Sequence, residues 1–537
     1  MEGFNLGGAV SQASINGSSV TSTRNGLSSI DIPIGTNTTS GRLEIAVGAS
    51  DSYLVYALNN KNSNPVFGFD GQTVTKYEYN SKANGINNNL LTDDVEFVIW
   101  NMDYFISHTD ITSPMMKMDS AGKYYMSYGY GTPSMYVNKN GSTTQVDYSY
   151  NKFHNTNVGY DESGNIYAVA TNTDRINDSS AKFVFYTNVS CSNSTSAYTI
   201  SSSSKRHLEM VYNNNTKRYD INRVKRPKFV VTGKRTSNSD PARVYMGYFD
   251  VNNTISPVKF RYGTLTSNTS ITGGIAGNTA NSSSAGESNN PSTTDSSASG
   301  YHIVASNNTK YKGGEYVAVG IVPKDVSSVT TDAGVAVVAW YDAYAKQLVY
   351  SYNEDPENSQ SETEAQTGGV WQTNAKVIDS STASWYVDMC VDKKGGIHIA
   401  YYNSGKGDLK YAYLSNYKAA PDVRTVDSYL STGTNITINV KEENGKYVPY
   451  ISYFFSSFTQ TPSTVRIAWQ NDMTSVKDGV VNDRFTGAWE CMTIPTENVP
   501  VDGIICNGLP TTSDTYKDTP VLGYMSDRGY EKAYIKK

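Results

Sequence analysis

The chain of 537 residues carries 45 basic and 50 acidic side chains, a formal net charge of −5. This balance argues against a dedicated nucleic-acid binder, because such proteins are usually basic overall. Only 38% of the residues are hydrophobic, yet 42 are tyrosine, and Gly, Asn, Ser and Thr fill the gaps between short apolar runs. The composition predicts an all-β protein, and the length predicts either several domains or a repeated unit.

The N-terminal residues show no signal peptide, because "MEGFNLGGAVSQ" lacks a basic region followed by an apolar stretch. No run of 18 or more apolar residues occurs anywhere, so no membrane-spanning helix is expected. Residues 1–41 are interpreted as an N-terminal extension that contains one strand, "SSIDIPIG" at 28–35. Residues 42–537 are expected to form one repeat structure.

A tight turn of the form Asp-x-x-Gly recurs between short strands, at 119–122, 161–164 and 392–395. A variant with glutamate occupies 442–445, and a looser copy surrounds Gly334. Glycine and aspartate at these positions are typical of turns that join antiparallel strands. The repeat therefore predicts a series of similar hairpins.

A strand that ends in an aromatic residue also recurs, at intervals of 36 to 90 residues. The unit at 395–414, "GGIHIAYYNSGKGDLKYAYL", shows most clearly that this aromatic-ending strand is the third strand of a meander. A fourth strand follows in "VWQTNAKVID" and "VRTVDSYL". The eight candidate aromatic endings are Tyr79, Tyr150, Tyr186, Tyr262, Tyr352, Tyr413, Trp469 and Tyr534.

Repeated four-stranded antiparallel units predict a β-propeller of seven or eight blades, since a closed ring protects the sheet edges. The last aromatic strand has no outer strand after it, so we expect an N-terminal strand, within 28–35, to complete the final blade. A small separate N-terminal β-unit is the alternative. Two polar segments, 264–300 and 354–369, read as flexible inserts because they offer little apolar surface for burial.

Metal and disulfide signals are weak. The four cysteines form no CxxC motif, and the five histidines are far apart. Cys491 and Cys506 could form a disulfide if their strands are adjacent. His398 lies between Ile397 and Ile399 in a strand and is interpreted as a packed or inter-blade hydrogen-bonding residue. The turn aspartates are interpreted as caps of their own turns, with calcium ligation as the less favoured alternative, so no cofactor is expected.

The segment 371–414, which contains "WQTNAKVID" and "VDKKGGIHIAYYNSGKGDLKYAYL", resembles the repeat of bacterial and archaeal exported or cell-surface β-propellers, related in architecture to sialidase-like propellers. This resemblance implies a propeller in an extracellular or cell-surface setting, where most members bind or scaffold. The resemblance does not fix a ligand. A glycan or a surface protein is the expected partner, and a purely structural role as a domain of a larger surface assembly is a further alternative.

The enzymatic alternative is a glycoside hydrolase or lyase of the sialidase-like type. Members of that family carry Ser-x-Asp-x-Gly-x-x-Trp boxes, whereas Asp119, Asp161 and Asp392 lie three residues before their glycines rather than two. No catalytic residues are therefore assigned, and a non-catalytic binding module is preferred.

Two groups of side chains are candidates for ligand binding. The first is a basic cluster in an otherwise acidic chain, which would attract an acidic glycan if its members shared a face; solvated strand positions are the alternative. The second group consists of tyrosines expected in loops, with blade packing as the alternative. The basic cluster comprises Lys205, Arg206, Lys217, Arg218, Arg223, Lys225, Arg226, Lys228, Lys234 and Arg235, and the binding candidates are Arg223, Lys225, Arg226, Lys228, Tyr128, Tyr130, Tyr401 and Tyr402.

Overall fold

The computed structural model is an all-β protein in which seven four-stranded sheets form the blades of a propeller around a central channel. The structure describes residues 2–4, 12–21, 23–25, 29–31, 41–48, 53–55, 66–67, 90–97, 99–130, 134–148, 153–172, 182–191, 205–208, 210–213, 218–221, 224–235, 240–250, 257–267, 270–275, 301–305, 316–357, 370–380, 384–428, 431–443, 446–456, 464–470, 489–494, 500–516 and 519–536.

Two further four-stranded sheets lie in the N-terminal part of the chain, with strand orders β4-β5-β1-β7 and β3-β2-β6-β9. The N-terminal strands are β1 (Glu2–Phe4), β2 (Gln12–Ile15), β3 (Ser18–Val20), β4 (Thr23–Asn25), β5 (Ser29–Asp31), β6 (Gly41–Gly48), β7 (Tyr53–Val55), β8 (Val66–Phe67), β9 (Leu90–Phe97) and β10 (Ile99–Ile106).

Blades 1 to 3 follow, each a meander that starts at the channel and runs outward. Blade 1 contains β11 (Ile111–Met118), β12 (Tyr124–Tyr130), β13 (Ser134–Lys139) and β14 (Ser142–Tyr148). Blade 2 contains β15 (His154–Tyr160), β16 (Ile166–Asn172), β17 (Lys182–Val189) and β18 (Lys205–His207). A hairpin of β19 (Met210–Asn213) and β20 (Arg218–Ile221) precedes blade 3. Blade 3 contains β21 (Val224–Thr232), β22 (Ala242–Asp250), β23 (Val258–Leu265) and β24 (Ile271–Gly273), with β25 (His302–Ala305) also paired to β23.

Blades 4 to 7 repeat the pattern, with two one-turn helices, α1 (Lys324–Ser327) and α2 (Val370–Thr373), in the connections of blade 4. Blade 4 contains β26 (Val317–Val322), β27 (Val335–Asp342), β28 (Gln347–Asn353) and β29 (Lys376–Asp379). Blade 5 contains β30 (Ser384–Val391), β31 (Ile397–Asn403), β32 (Asp408–Leu414) and β33 (Asp422–Asp427). Blade 6 contains β34 (Ser431–Glu443), β35 (Lys446–Ser456), β36 (Thr464–Gln470) and β37 (Trp489–Ile494). Blade 7 contains β38 (Pro500–Gly508), β39 (Val521–Ser526) and β40 (Gly529–Lys536).

Blade 7 is completed by β10, which pairs antiparallel with β40 from Ile99 opposite Lys536 to Ile106 opposite Tyr530. A strand N-terminal to the blades therefore closes the ring, as the sequence predicts. The expected location was wrong, because the strand at Ser29–Asp31 pairs with β1 and β4 in a separate sheet. The closing strand is instead β10, whose sequence is "IWNMDYFI".

The aromatic endings mark third strands in blades 2 to 7, and the structure has seven blades rather than eight. In blade 1 the third strand is Ser134–Lys139, so "QVDY" belongs to the outer strand. Tyr79 and Tyr150 lie outside the described residues.

Neighbouring blades bury their apolar faces against each other. Between blades 4 and 5, Val337 and Tyr350 belong to one buried cluster with Ile399. Between blades 3 and 4, Trp340 and Trp371 are fully buried near Phe260. A four-stranded sheet exposes two faces, and only stacking against the next blade removes both from water.

Part of the first predicted insert belongs to blade 3, because Ile271–Gly273 pairs with β23 and Ile275 is fully buried. Residues 276–300 and 358–369 lie outside the described residues. The thiol of Cys491 donates to the carbonyl oxygen of Val426, and the side chain of Cys506 lies outside the described side chains. Within the described part of the chain, the helices are too short to span a membrane.

Candidate functional site

The innermost strands of five blades carry an irregularity at the same level, at one end of the central channel. In each case one extra residue forms a β-bulge, so that two residues of the innermost strand oppose one residue of the neighbouring strand. The bulges fall between Thr112 and Met115, His154 and Asn157, Lys225 and Lys228, Ser384 and Val387, and Thr434 and Thr437. Four of them place a residue at positive φ, namely Ser113 (48°), Asn155 (53°), Arg226 (50°) and Asn435 (51°).

These bulges surround a cavity of about 120 Å³ at the mouth of the channel. A deeper cavity of about 400 Å³ continues into the channel. Met115, Asn157, Lys228 and Thr437 line both cavities, so the two are continuous. The mouth is lined by Ser113, Met115, Asn155, Thr156, Asn157, Arg226, Pro227, Lys228, Tyr316, Val317, Tyr386, Val387, Asn435, Ile436 and Thr437.

Hydrogen bonds between neighbouring bulges fix the wall of the mouth. Thr156 Oγ1 donates to the carbonyl oxygen of Ser113 at 2.7 Å, which joins blades 2 and 1. Asn157 Nδ2 donates to the carbonyl oxygen of Pro227 at 3.1 Å, which joins blades 2 and 3. Bulged carbonyls have lost their partner in the adjacent strand, and these side chains replace it. The wall is therefore preorganised.

Arg226 and two tyrosines form the aromatic part of the mouth. The guanidinium carbon of Arg226 lies 3.9 Å from the ring centre of Tyr316 and 5.9 Å from that of Tyr386. The two rings are 4.7 Å apart at an interplanar angle of 55°. All three side chains are half-buried, so each presents part of its surface to the cavity. The group offers a cation and two aromatic faces.

The second cation of the mouth is neutralised. Lys228 Nζ lies 3.6 Å from Asp388 Oδ1, and the other carboxylate oxygen of Asp388 accepts the backbone N–H of Ile438 at 3.1 Å. Asp388 lines the deeper cavity, whereas the described residues that line the mouth include no aspartate or glutamate. The described mouth thus combines apolar surface with two cations, amides and hydroxyls, and its described lining holds no carboxylate.

The predicted basic face is not formed by the described residues. Arg226 and Lys228 reach the channel mouth, whereas Lys225 is on the same strand but does not line the cavity. Lys205 and Arg206 are buried on the outer strand of blade 2, where Lys205 lies 3.5 Å from Asp147. An alternating strand sends successive side chains to opposite faces, which separates residues adjacent in sequence. Lys217, Arg218 and Arg223 are outside the residues whose side chains are described.

The candidate tyrosines lie on strands rather than in loops. Tyr128 is 5% exposed and stacks on Tyr136, and burial raises its pKa to about 12. Tyr401 is 1% exposed and donates to Asp379 Oδ2 at 2.7 Å. These two side chains are packing residues, which corrects their assignment to a binding surface. Tyr130 and Tyr402 are half-buried on the same strands.

Each Asp-x-x-Gly turn is closed by its own aspartate. Asp119 Oδ1 accepts the N–H groups of Ala121 and Lys123, and Asp161 Oδ1 accepts those of Ser163 and Asn165. The carboxylates are therefore used as turn caps. In the described residues no group of three or more His, Cys, Asp or Glu side chains is placed to hold a metal ion.

The third turn adds a buried histidine. Asp392 Oδ1 accepts the N–H groups of Lys394 and Gly396, while Oδ2 is 3.1 Å from His398 Nε2. His398 Nδ1 is 2.7 Å from the hydroxyl of Tyr411. Burial alone would raise the pKa of Asp392, but the hydrogen bonds from His398 and the backbone lower it overall. His398 is therefore a packed residue, as predicted, and its two ring nitrogens contact residues of its own blade rather than of a neighbouring blade.

Sequence reasoning missed most of the mouth. Tyr316, Tyr386, Asn155 and Asn435 come from four blades and share no local motif. A usable signal was proline inside a strand pattern, because proline within a sheet marks an edge or a bulge. Such prolines follow Ser113 and Arg226 directly.

Comparison with known proteins gives no family for this chain. No family model matches it, and no curated protein matches it. Among solved structures it is similar to the intramolecular trans-sialidase from Ruminococcus gnavus, with 9% identity over 81% of this chain and 97% of the other and a TM-score of 0.37. It is also similar to a Hadza microbial sialidase, with 8% identity over 98% and 92% and a TM-score of 0.39.

A third similar structure is the fucose-specific lectin from Aleuria aurantia, with 9% identity over 73% of this chain and 99% of the lectin and a TM-score of 0.33. At such scores the likeness carries no argument about activity. The strand pairing of the chain itself therefore identifies it as a seven-bladed β-propeller.

Proposed function

We propose that this protein is a non-catalytic binding module that takes a glycan at the mouth of its central channel. The observation that carries the proposal is the lining of the mouth, where neutral amides and hydroxyls surround Arg226, Tyr316 and Tyr386. Tyrosine rings pack against the apolar faces of sugars, and fixed amides and hydroxyls can bond sugar hydroxyls. A preorganised wall reduces the entropy lost on binding.

The hydrolase alternative lacks support in the described residues. Glycoside hydrolysis usually needs two carboxyl groups, about 5 to 10 Å apart, on either side of the scissile bond. Asp388 is the carboxylate among the described lining residues of the two cavities, and it is already engaged with Lys228 and the backbone of Ile438. A single occupied carboxylate favours binding over hydrolysis.

We place this binding module outside the cytoplasm, at the cell surface or secreted, where glycans and surface proteins are its natural partners. The support for this location is the resemblance of 371–414 to exported propeller repeats. Fractionation of cells that express the protein tests the location, and recovery of the protein only in the cytoplasm would contradict it.

A glycan-array screen beside a hydrolysis assay on the same glycans tests the function. We expect the wild-type protein to bind a restricted set of glycans and to release no product from them. Tyr316→Ala and Tyr386→Ala should each weaken binding by about 10-fold, since each removes one aromatic face.

Tyr344→Ala is the matched control, because Tyr344 is 72% exposed and lies in a turn away from the mouth. It should bind as the wild type does. Product release from the bound glycans would favour the hydrolase, and equal binding by all three variants would remove the channel mouth as the site.

A further inference from the structure

Arg226 stands out from the residues at equivalent positions in the ring of bulges. Four bulges place a residue at φ between 48° and 53°, and three of these residues are Ser113, Asn155 and Asn435. Asparagine tolerates this left-handed region best among residues with a side chain, whereas a long side chain is uncommon there. Arg226 is also followed by Pro227, which narrows the conformations open to the residue before it.

Backbone strain that persists at a site is a reason to look for a function at that site. Asparagine or serine meets the conformational need of the bulge in blades 1, 2 and 6. The strained position in blade 3 instead carries the side chain that projects a cation into the mouth. The conformation of the bulge therefore does not explain the choice of arginine.

Among the described residues, no carboxylate compensates the charge of Arg226. Lys228, two residues away, lies beside Asp388, but no carboxylate among the described residues is within ion-pair distance of Arg226. The guanidinium stacks on Tyr316 at 3.9 Å and donates no hydrogen bond to a described protein acceptor. Stacking covers the face of the guanidinium and leaves its N–H groups, which lie in the plane, directed away from the ring.

We infer that Arg226 binds an anionic group, a carboxylate or a sulfate, on the saccharide that occupies the channel mouth. The inference rests on the proposed function and names the chemical class of its ligand. The fork of the guanidinium matches two oxygens of such a group, and the tyrosines hold the fork in one orientation. The neutral amides of Asn155 and Asn435, which also line the mouth, are then available to the hydroxyls of the sugar.

The test compares three probes that differ at the anionic group: oligogalacturonate, its methyl ester and a sulfated galactan oligomer. The intact chain is titrated with each probe at low and at high salt. We expect oligogalacturonate or the sulfated oligomer to bind, binding to weaken at high salt, and the methyl ester to bind at least 10-fold more weakly.

The variants separate the anion contact from the fold. Arg226→Asn should lower affinity for the anionic probe by about 10- to 100-fold, while its thermal midpoint stays level or rises because asparagine suits the bulge. Arg226→Lys keeps the charge but loses the fork, and should recover part of the affinity. Lys225→Gln removes one positive charge from the same strand without touching the mouth, and should bind as the wild type does.

Each outcome has one reading. Equal binding of oligogalacturonate and its methyl ester, or unchanged binding by Arg226→Asn, overturns the inference and leaves the glycan-binding module standing. Equal loss in Arg226→Asn and Lys225→Gln also overturns it, because general charge would then explain the affinity. Failure of the wild type to bind any glycan, charged or neutral, overturns the proposed function and the inference together.

Discussion

Tyr453 on the second strand of blade 6 donates a hydrogen bond of 2.6 Å to Asp427, at the end of the outer strand of blade 5. Arg466, opposite Tyr453 in the next strand, lies 3.4 Å from the same carboxylate. The arrangement recurs at two other blade boundaries. The three groups are Asp427 with Tyr453 and Arg466, Asp379 with Tyr401 and Lys410, and Asp147 with Tyr186 and Lys205.

Each group ties one blade to the next through a carboxylate that would be costly to bury alone. The tyrosine and the cation face each other across a strand pair in all three cases. Burial raises the pKa of Tyr453, so its hydroxyl keeps its proton and remains a donor. These three tyrosines therefore stabilise the blade boundaries.

Tyr453→Phe should destabilise the protein by about 1 to 3 kcal/mol, because Asp427 keeps its burial but loses a donor. The change is read as a shift of the denaturant midpoint. Tyr344→Phe is the control, since that side chain is 72% exposed and should change stability by less than about 0.5 kcal/mol. Equal midpoints for the two variants would contradict the role of the boundary group.

Stability should fall as the pH drops from about 6.5 toward 4. His302 Nδ1 accepts the indole N–H of Trp371 at 3.2 Å, and burial, with a smaller effect of Arg261, lowers the pKa of His302 to about 4. The unfolded chain titrates near 6.5 and so takes up the proton first. The stabilisation that comes from keeping His302 neutral is complete above pH 6.5. It is lost as the pH falls toward the pKa of His302 in the folded protein.

The expected loss from His302 is roughly 3 kcal/mol, and His398, whose pKa is also lowered by burial, acts in the same direction. Denaturant midpoints at pH 7.5, 6 and 4.5 measure it. His302→Asn keeps an acceptor near Trp371 without a titrating ring, so the slope in this window should become shallower. A variant with the wild-type slope would show that His302 is not the source.

Gly395→Ala should cost about 1 to 2 kcal/mol in stability, because Gly395 has a φ of 85° in the turn closed by Asp392. A β-carbon there would also lie 3.1 Å from Val326 Cγ2. Gly395→Asn should recover part of the loss, since asparagine tolerates positive φ. If alanine and asparagine cost the same, the contact with Val326 rather than the dihedral angle decides the effect.

Thr156→Val should lower stability by about 1 to 2 kcal/mol and weaken glycan binding. The substitution keeps the shape but removes the hydroxyl that donates to Ser113 and accepts from Ser127, in a side chain that is 2% exposed. Thr156→Ser keeps the hydroxyl and is the control. Denaturant midpoints and a glycan titration give the two readouts. Normal binding by a destabilised Thr156→Val would mean that the wall hydrogen bond does not shape the site.

The fold could be predicted because its signals are local. The hairpin around 404–407 and the turn at 392–395 depend on residues within a few positions of each other, and each reappears as a strand, turn and strand in the structure. The order of the blades follows from the repeat of these units. The closing strand was misplaced because nothing within "IWNMDYFI" encodes that its partner is residues 529–536.

The site could be predicted only in part. Arg226 and Lys228 were singled out from their charge, but as members of a surface cluster rather than of the channel mouth. Tyr316 and Tyr386 come next to Arg226 because blades 3, 4 and 5 converge at the axis. A bulge depends on the partner strand as well as on its own sequence, which is why its position was not visible in one strand.

The pairing of β10 with β40 also governs when this molecule can finish folding. Asp103 pairs with Lys532, so the strand that completes the ring is made early and its partner late. At ordinary rates of synthesis, about 5 to 20 residues per second, β10 waits roughly 20 to 90 s for β40 to emerge. Throughout that interval the edge of β10 that later pairs with β40 is open to wrong partners, a hazard for the nascent chain that ends when the two strands meet.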